Sequence, residues 1–187
     1  MEILIRLPAE RPGLKALLFD FDGTISTLRY GWEKIMEPLM LEMISSGRPC
    51  GEDLVREVRE YISQSTGIQT IFQMKWLVNT IKKYGFKAPS DDPWFYKNEY
   101  NRRLMSIVEE RKNKILDKKA LPENFMIKGS KKLLEAIRAS GLEIYVASGT
   151  DHPDVVEEVS VLGLGGYFTE IAGAPPGRED CSKEAIL

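Results

Sequence analysis

The sequence is short of the residues that build metal clusters and disulfide frameworks: of 187 residues, two are cysteine, Cys50 and Cys181, and one is histidine, His152. Neither cysteine falls in a zinc-binding spacing, and their unlike contexts favour a reduced pair over a disulfide. Long apolar runs are missing as well. Nothing approaches the ~18 consecutive apolar residues of a membrane-spanning helix, and the longest apolar run near the start is Ala16 to Phe19. Met1 to Leu7 has neither the basic nor the apolar region of a secretory leader, so the expectation is a cytoplasmic protein with no membrane partner. Charge of one sign is not in excess either: 26 basic against 28 acidic side chains leave a net charge of -2, which gives no reason to expect nucleic acid as a partner. With Gly 15 and Pro 10 the chain is neither collagen-like nor low-complexity, and its 43% hydrophobic content excludes wholesale disorder. At roughly 150 residues per domain, the length fits one domain or one domain carrying a sizeable insertion.

What is present divides into two patterns. Lys15 to Asp20 is a short apolar run ending in an acid, followed by Phe21, Asp22 and Gly23, and reads as a buried strand entering a turn. Leu142 to Ala147 is a second such run, ending in a polar turn at Ser148, Gly149 and Thr150. Before it, Ser130 can cap a helix with Leu133, Leu134 and Ile137 on one face and Gly141 as its stop; after it, Pro153 to Leu162 reads as a helix ended by Gly163. Tyr167 to Ala172 reads as a third strand and Lys183 to Leu187 as the start of another helix. Strand, helix and strand in this alternation predict a parallel α/β sheet.

From Ser26 to Ile127 the period changes to that of helices. Trp32, Ile35, Met36, Leu39, Met40 and Met43 share a face despite Pro38; Leu54, Val55, Val58 and Ile62 form a second run; Ile68 to Tyr84 and Trp94 to about Leu116 give a third and fourth. Four such helices can bundle, with breaks at Gly47 to Gly51, Gly67, and Gly85 to Pro93. The predicted division is therefore an α/β core from 1–25 and 128–187, interrupted by a helical insertion at 26–127. The insertion carries 17 basic and 14 acidic side chains, leaving 9 and 14 elsewhere. That split suits an anionic ligand between the two parts, and it equally describes solvated helix faces.

Asp20 and Asp22 stand two apart at the end of an apolar strand, where Gly23 lets the chain bend. Open α/β sheets bind ligands beyond the carboxyl ends of their strands, which is where both Asp20 and Ser148 fall. One carboxylate there can attack phosphorus while its neighbour gives and takes the leaving-group proton, with a hard divalent cation neutralising the phosphoryl oxygens. A surface turn with two capping acids would carry the same residues.

The motif Asp20-Phe21-Asp22-Gly23-Thr24 resembles the first motif of the haloacid dehalogenase-like hydrolase superfamily. Ser148-Gly149-Thr150 resembles its second motif and Lys183 its third, in the family's order. The helical segment between them resembles the α-helical cap that phosphatases of this superfamily insert after the first motif. The resemblance implies a Rossmann-like α/β core with an inserted α-helical cap, acting as a Mg²⁺-dependent phosphatase on a small phosphorylated metabolite such as a sugar phosphate. It implies Asp20 as nucleophile and metal ligand, and Asp22 as general acid and base with its carbonyl facing the metal. Thr24 would hold Asp22 and the turn, Ser148 and Gly149 would meet the phosphoryl group, and Lys183 would neutralise Asp20 and the phosphate. Asp22 favours phosphatase over dehalogenase, because a halide leaves without a proton.

The superfamily's fourth motif, acids after a further strand, has no counterpart in the four residues after Lys183. The chain thus resembles a truncated member, and the alternative function is a catalytically weak or inactive remnant that binds a partner. In the family's sheet the first-motif strand is central. Lys15 to Asp20 is therefore expected to expose one edge, to be covered by Glu2 to Leu7 or by a second copy of the chain in a homo-oligomer. His152 reads as an exposed helix-start residue, and Arg29, Trp32, Gln69, Gln73, Arg102 and Arg103 read as surface or core positions of the cap rather than ligands.

Overall fold

The computed structural model describes residues 13–85 and 87–175; Lys183, Cys181 and the segment Glu2 to Leu7 lie outside them. Three parallel strands form the sheet, β1 (Ala16–Phe19), β2 (Glu143–Asp151) and β3 (Glu170–Ala174), in the order β1-β2-β3. Leu17 and Phe19 of β1 turn toward the sheet's apolar cluster, while Leu18 points the other way and is exposed, as the two-residue period of a strand requires. β1 is thus half-buried rather than buried. β2 also departs from the sequence reading. The chain stays extended through Ser148, Gly149 and Thr150 to Asp151, with a register shift against β3 between Ala147 and Asp151, so the polar triplet is not a turn. β3 starts three residues later than its apolar run does, after a single 3₁₀ turn at Gly165–Tyr167.

Between β1 and β2 lie α1 (Glu33–Ser45), α2 (Glu52–Gln64), α3 (Thr70–Tyr84) and α4 (Pro93–Leu116), and then α5 (Ser130–Ala139). The first four pack around one apolar cluster to which they contribute stripes at helical spacing: Met36, Leu39, Met40 and Ile44; Leu54, Val58 and Ile62; Met74, Leu77, Val78 and Ile81; Tyr96, Tyr100, Leu104 and Val108. Pro38 removes one intrahelical bond from α1, yet it sits on the solvent face, where water can reach the carbonyl left without its partner. α4 begins one residue before the expected Trp94, with Asp92 accepting from Trp94 N at 3.0 Å and Pro93 in the first turn. Ser130 does not cap α5. It is the first residue of that helix, after Gly129, and its hydroxyl donates to Ile25 O at 3.5 Å.

A second apolar cluster joins the sheet to α5 and to α6 (His152–Val161) through Phe21, Ile25, Leu134, Ile137, Ile144, Val146, Val155 and Val159. The two chain crossings between the clusters run side by side: Thr27 N donates to Phe125 O at 2.8 Å and Ile127 N to Ile25 O at 2.9 Å. Among the described residues no helix is long and apolar enough to cross a membrane.

Two glycines of the sheet region make opposite demands. A Cβ on Gly173 would stand 2.6 Å from His152 Cα and 2.8 Å from Thr150 O, both backbone atoms, whereas one on Gly149 would meet nothing nearer than 3.8 Å. Gly173→Ala is therefore expected to cost about 1–3 kcal/mol or more through forced backbone movement, and Gly149→Ala is expected to be nearly neutral for stability. Urea melts of the two variants check this, and equal stabilities would contradict the close approach.

Candidate active site

The carboxyl end of β1 and the turn after it set the first side chains. Phe21 is fully buried and pins the turn, its carbonyl accepting from Ile25 N at 2.9 Å and Ser26 N at 3.0 Å. Gly23 takes φ +75°, a left-handed conformation that side-chain-bearing residues adopt at a cost. The Thr24 hydroxyl donates to Asp20 Oδ2 at 3.3 Å, whereas the sequence reading placed it on Asp22. Thr24 faces Asp20 because the turn carries Asp22 away toward β2.

Asp22 is held instead by the extended triplet of β2. Ser148 Oγ and Thr150 Oγ1 both donate to Asp22 Oδ2, at 3.0 and 2.8 Å, and Thr150 N donates to Ser148 Oγ at 3.0 Å. The straight run of β2 explains this geometry: residues 148 and 150 are two apart on a strand, so their hydroxyls leave the same face. In this arrangement Ser148 binds Asp22 itself. Among the described residues, Asp22 Oδ1 is buried without a hydrogen-bond partner, and the cation paired with it is Arg29, with Nε at 3.9 Å.

Asp20, Asp22, Ser148, Gly149 and Thr150 line one end of a cavity of about 210 Å³. The helical part supplies the rest, among them Trp32, Ile68, Gln73, Tyr100 and Leu104. Gln73 is buried and donates to Ser65 O and Oγ, and burial pushes the Tyr100 phenol well above its ordinary range. Arg102 and Arg103 pair with Glu99 and Glu42 away from this cavity. His152 is exposed, and its Nδ1 accepts from Gly173 N at 3.3 Å.

Arg29, read from the sequence as a surface or core position of the cap, stands at the cavity, as does Thr150, to which the sequence reading gave no role. Arg29 is 11% exposed, and α6 grips it: Nε and Nη2 donate to Glu158 Oε1 at 2.9 and 2.7 Å, and Nη2 donates to Asp154 Oδ2 at 3.1 Å. The only local signal was Asp154 and Glu158 one helical turn apart, which marks a face but not its partner. Burial works against the Arg29 charge, but Glu158, Asp22 and Asp154 outweigh it and hold the guanidinium above its ordinary pKa. For Glu158 burial wins: its carboxyl is pushed from 4.5 up to about 7, with Arg29 only partly offsetting the loss of water.

The donors that could hold a divalent cation are hard oxygens, the Asp20 carboxylate and the Asp22 main-chain carbonyl. This set suits Mg²⁺, which keeps several waters and takes one or two carboxylates beside substrate phosphate. Among the described residues there is no cluster of three metal-binding side chains.

The profile of a haloacid dehalogenase-like hydrolase family matches residues 14–183. Solved structures similar to this chain include a β-phosphoglucomutase from Clostridium difficile, 19% identical with a TM-score of 0.61, covering 91% of this chain and 66% of that one. A predicted phosphoglycolate phosphatase from Haemophilus somnus 129PT (19%, TM-score 0.51, 86% and 62%) and a predicted phosphatase from Clostridium acetobutylicum (16%, 0.51, 87% and 62%) are also similar. The chain thus spans less than two thirds of each of these proteins, and identities this low show likeness of fold. No curated protein matches the sequence.

The raised carboxyl of Glu158 makes stability depend on pH. Between about pH 4.5 and 7 the folded chain keeps a proton that the unfolded chain has released, so the contribution of Glu158 is complete below that window and lost as pH rises through it. The stability of Glu158→Gln measured relative to wild type is expected to be more favourable at pH 8 than at pH 5 by on the order of 2 kcal/mol, because the variant mimics the protonated side chain. Urea melts at the two pH values measure the difference, and a gap that does not change with pH would show that Glu158 titrates normally.

Proposed function

The chain belongs to the haloacid dehalogenase-like hydrolases, and from that premise we propose that it hydrolyses a small phosphorylated metabolite through an aspartyl phosphate on Asp20, with Mg²⁺ as cofactor. The observation that carries this reading is the pair of carboxylates lining an open cavity of about 210 Å³, one of them anchored through a single oxygen by two hydroxyls from the neighbouring strand. In the first step an Asp20 oxygen attacks phosphorus, the bond to the leaving alcohol breaks, and Asp22 gives that alcohol its proton. In the second step Asp22 takes a proton from water as the water oxygen attacks the aspartyl phosphate, which returns Asp20 to its carboxylate. Anchoring Asp22 at Oδ2 matters because proton transfer needs a heavy-atom distance near 3 Å, and an unanchored carboxyl would seldom present it.

Mg²⁺, held by the Asp20 carboxylate and the Asp22 carbonyl, would supply positive charge to the phosphoryl oxygens, which two carboxylates would otherwise repel. Gly149 borders the same end of the cavity, where a main chain without a Cβ leaves room for the transferred group. Lys183, by the family's third motif, is proposed to neutralise Asp20 and the phosphate. We assign residues 1–25 and 128–187 to the catalytic core and 26–127 to a cap that chooses the substrate. The mixture of Gln73, Thr66 and Thr70 with Trp32 and Tyr100 suits a small polyhydroxylated frame such as a sugar phosphate.

The test is hydrolysis of p-nitrophenyl phosphate with Mg²⁺. Asp20→Asn is expected to lower kcat at least about a thousandfold, as removal of a covalent nucleophile does. Full activity in the Asn variant would overturn the mechanism.

A further inference from the structure

The anchoring of Asp22 through one oxygen leaves a gap in the site. Ser148 and Thr150 hold only Oδ2, and the terminal torsion of an aspartate is soft, so two bonds to the same oxygen allow the carboxylate plane to swing. A second restraint would act on Oδ1, which is buried and, among the described residues, has no hydrogen-bond partner. The group facing it is the Arg29 guanidinium, 3.9 Å away.

Arg29 itself has little freedom. Three of its hydrogen bonds run to Asp154 and Glu158, which stand one turn apart on α6 and present their carboxylates to the same side. Glu158 is 1% exposed and, among the described residues, its second oxygen has no hydrogen-bond partner, so α6 has buried an acid that grips this arginine through Oε1. The backbone of Arg29 follows the crossing at Ile25–Thr27, which is paired with the returning crossing at Phe125–Ile127. The guanidinium is therefore fixed from both parts of the molecule.

We propose that Arg29, clamped by Asp154 and Glu158, is the positioning residue that fixes the Asp22 carboxylate for proton transfer. The role rests on the reading of Asp22 as the proton-transfer group. It is carried out through charge and placement, not by contact with substrate. Arginine suits it because a planar fork can serve two acids on α6 while a third carboxylate lies beside it, which a lysine ammonium cannot reproduce.

A merely structural role must be separated from this one, since removing Arg29 alone leaves Glu158 buried and unpaired. The double variant Arg29→Met with Glu158→Gln relieves that burden, and it is compared with wild type and with Arg29→Lys, all as the full chain. The double variant is expected to melt within a few degrees of wild type. Its Thr150 amide resonance should shift or broaden, because that amide reports on the Ser148 hydroxyl that holds Asp22. Its kcat on p-nitrophenyl phosphate should fall roughly ten- to a hundredfold with KM nearly unchanged, and Arg29→Lys should recover part of the loss. Wild-type kcat together with an unmoved Thr150 amide in the double variant would overturn the proposal, as would a raised KM at constant kcat, which would place Arg29 on the substrate. If wild type shows no turnover, the phosphatase reading fails, and the Thr150 amide alone decides whether Arg29 fixes Asp22.

Discussion

A guanidinium taken out of water must be surrounded by acids or the fold loses several kcal/mol, and Arg29 is surrounded by three. Much of the site follows from satisfying that one group. Two of the acids come from α6, so the helix after β2 has to face the crossing that leads to the bundle. The third is Asp22, so the turn after β1 has to bring its carboxylate to the same place. Glu158 shows what the arrangement costs, since it is buried deeply enough for its carboxyl to rise to about 7 even with Arg29 beside it.

The same contact line continues along α4. Lys97 reaches Asp151 at 2.6 Å, Asn101 Nδ2 donates to Asp151 Oδ2 at 3.3 Å, and Lys112 bridges Glu109 and Glu157 at 2.7 and 2.6 Å. Arg111 donates to the carbonyls of Leu28 and Tyr30. These groups lie where an apolar interface would be expected between two packed helices. The apolar stripe of α4 is already committed to the bundle through Tyr96, Tyr100, Leu104 and Val108, so its other face meets the α/β part largely through charge, with Ile115 near its end joining the apolar cluster there. An ionic seam of this kind is more specific in register than an apolar one, and it is weaker per unit area.

Legibility in the sequence followed the range of the interaction. The stripes Leu54, Val58, Ile62 and Met74, Leu77, Val78, Ile81 are local, so their helices could be read directly. The Asp20 and Asp22 pair was legible because strand-turn chemistry is written in five consecutive residues. Ser148 to Thr150 was singled out as a motif but misread as a turn, because polar residues after an apolar run look alike whether the strand ends or continues. Their hydroxyls are consumed by Asp22, a partner 126 and 128 residues away.

The sequence by itself determined the alternation of an α/β sheet with four inserted amphipathic helices, because periodicity is a property of neighbours and needs no partner. It also determined which acids stand at the end of β1. Only the tertiary structure decided that Arg29 belongs to the site, since nothing within several residues of it differs from an ordinary surface arginine. The ligands of its guanidinium are 125 and 129 residues downstream, and the burial that gives the cluster its strength exists only once α6 and the crossing strands have packed. Charge buried by folding leaves no local pattern, because its energy comes from the water that the assembled elements exclude.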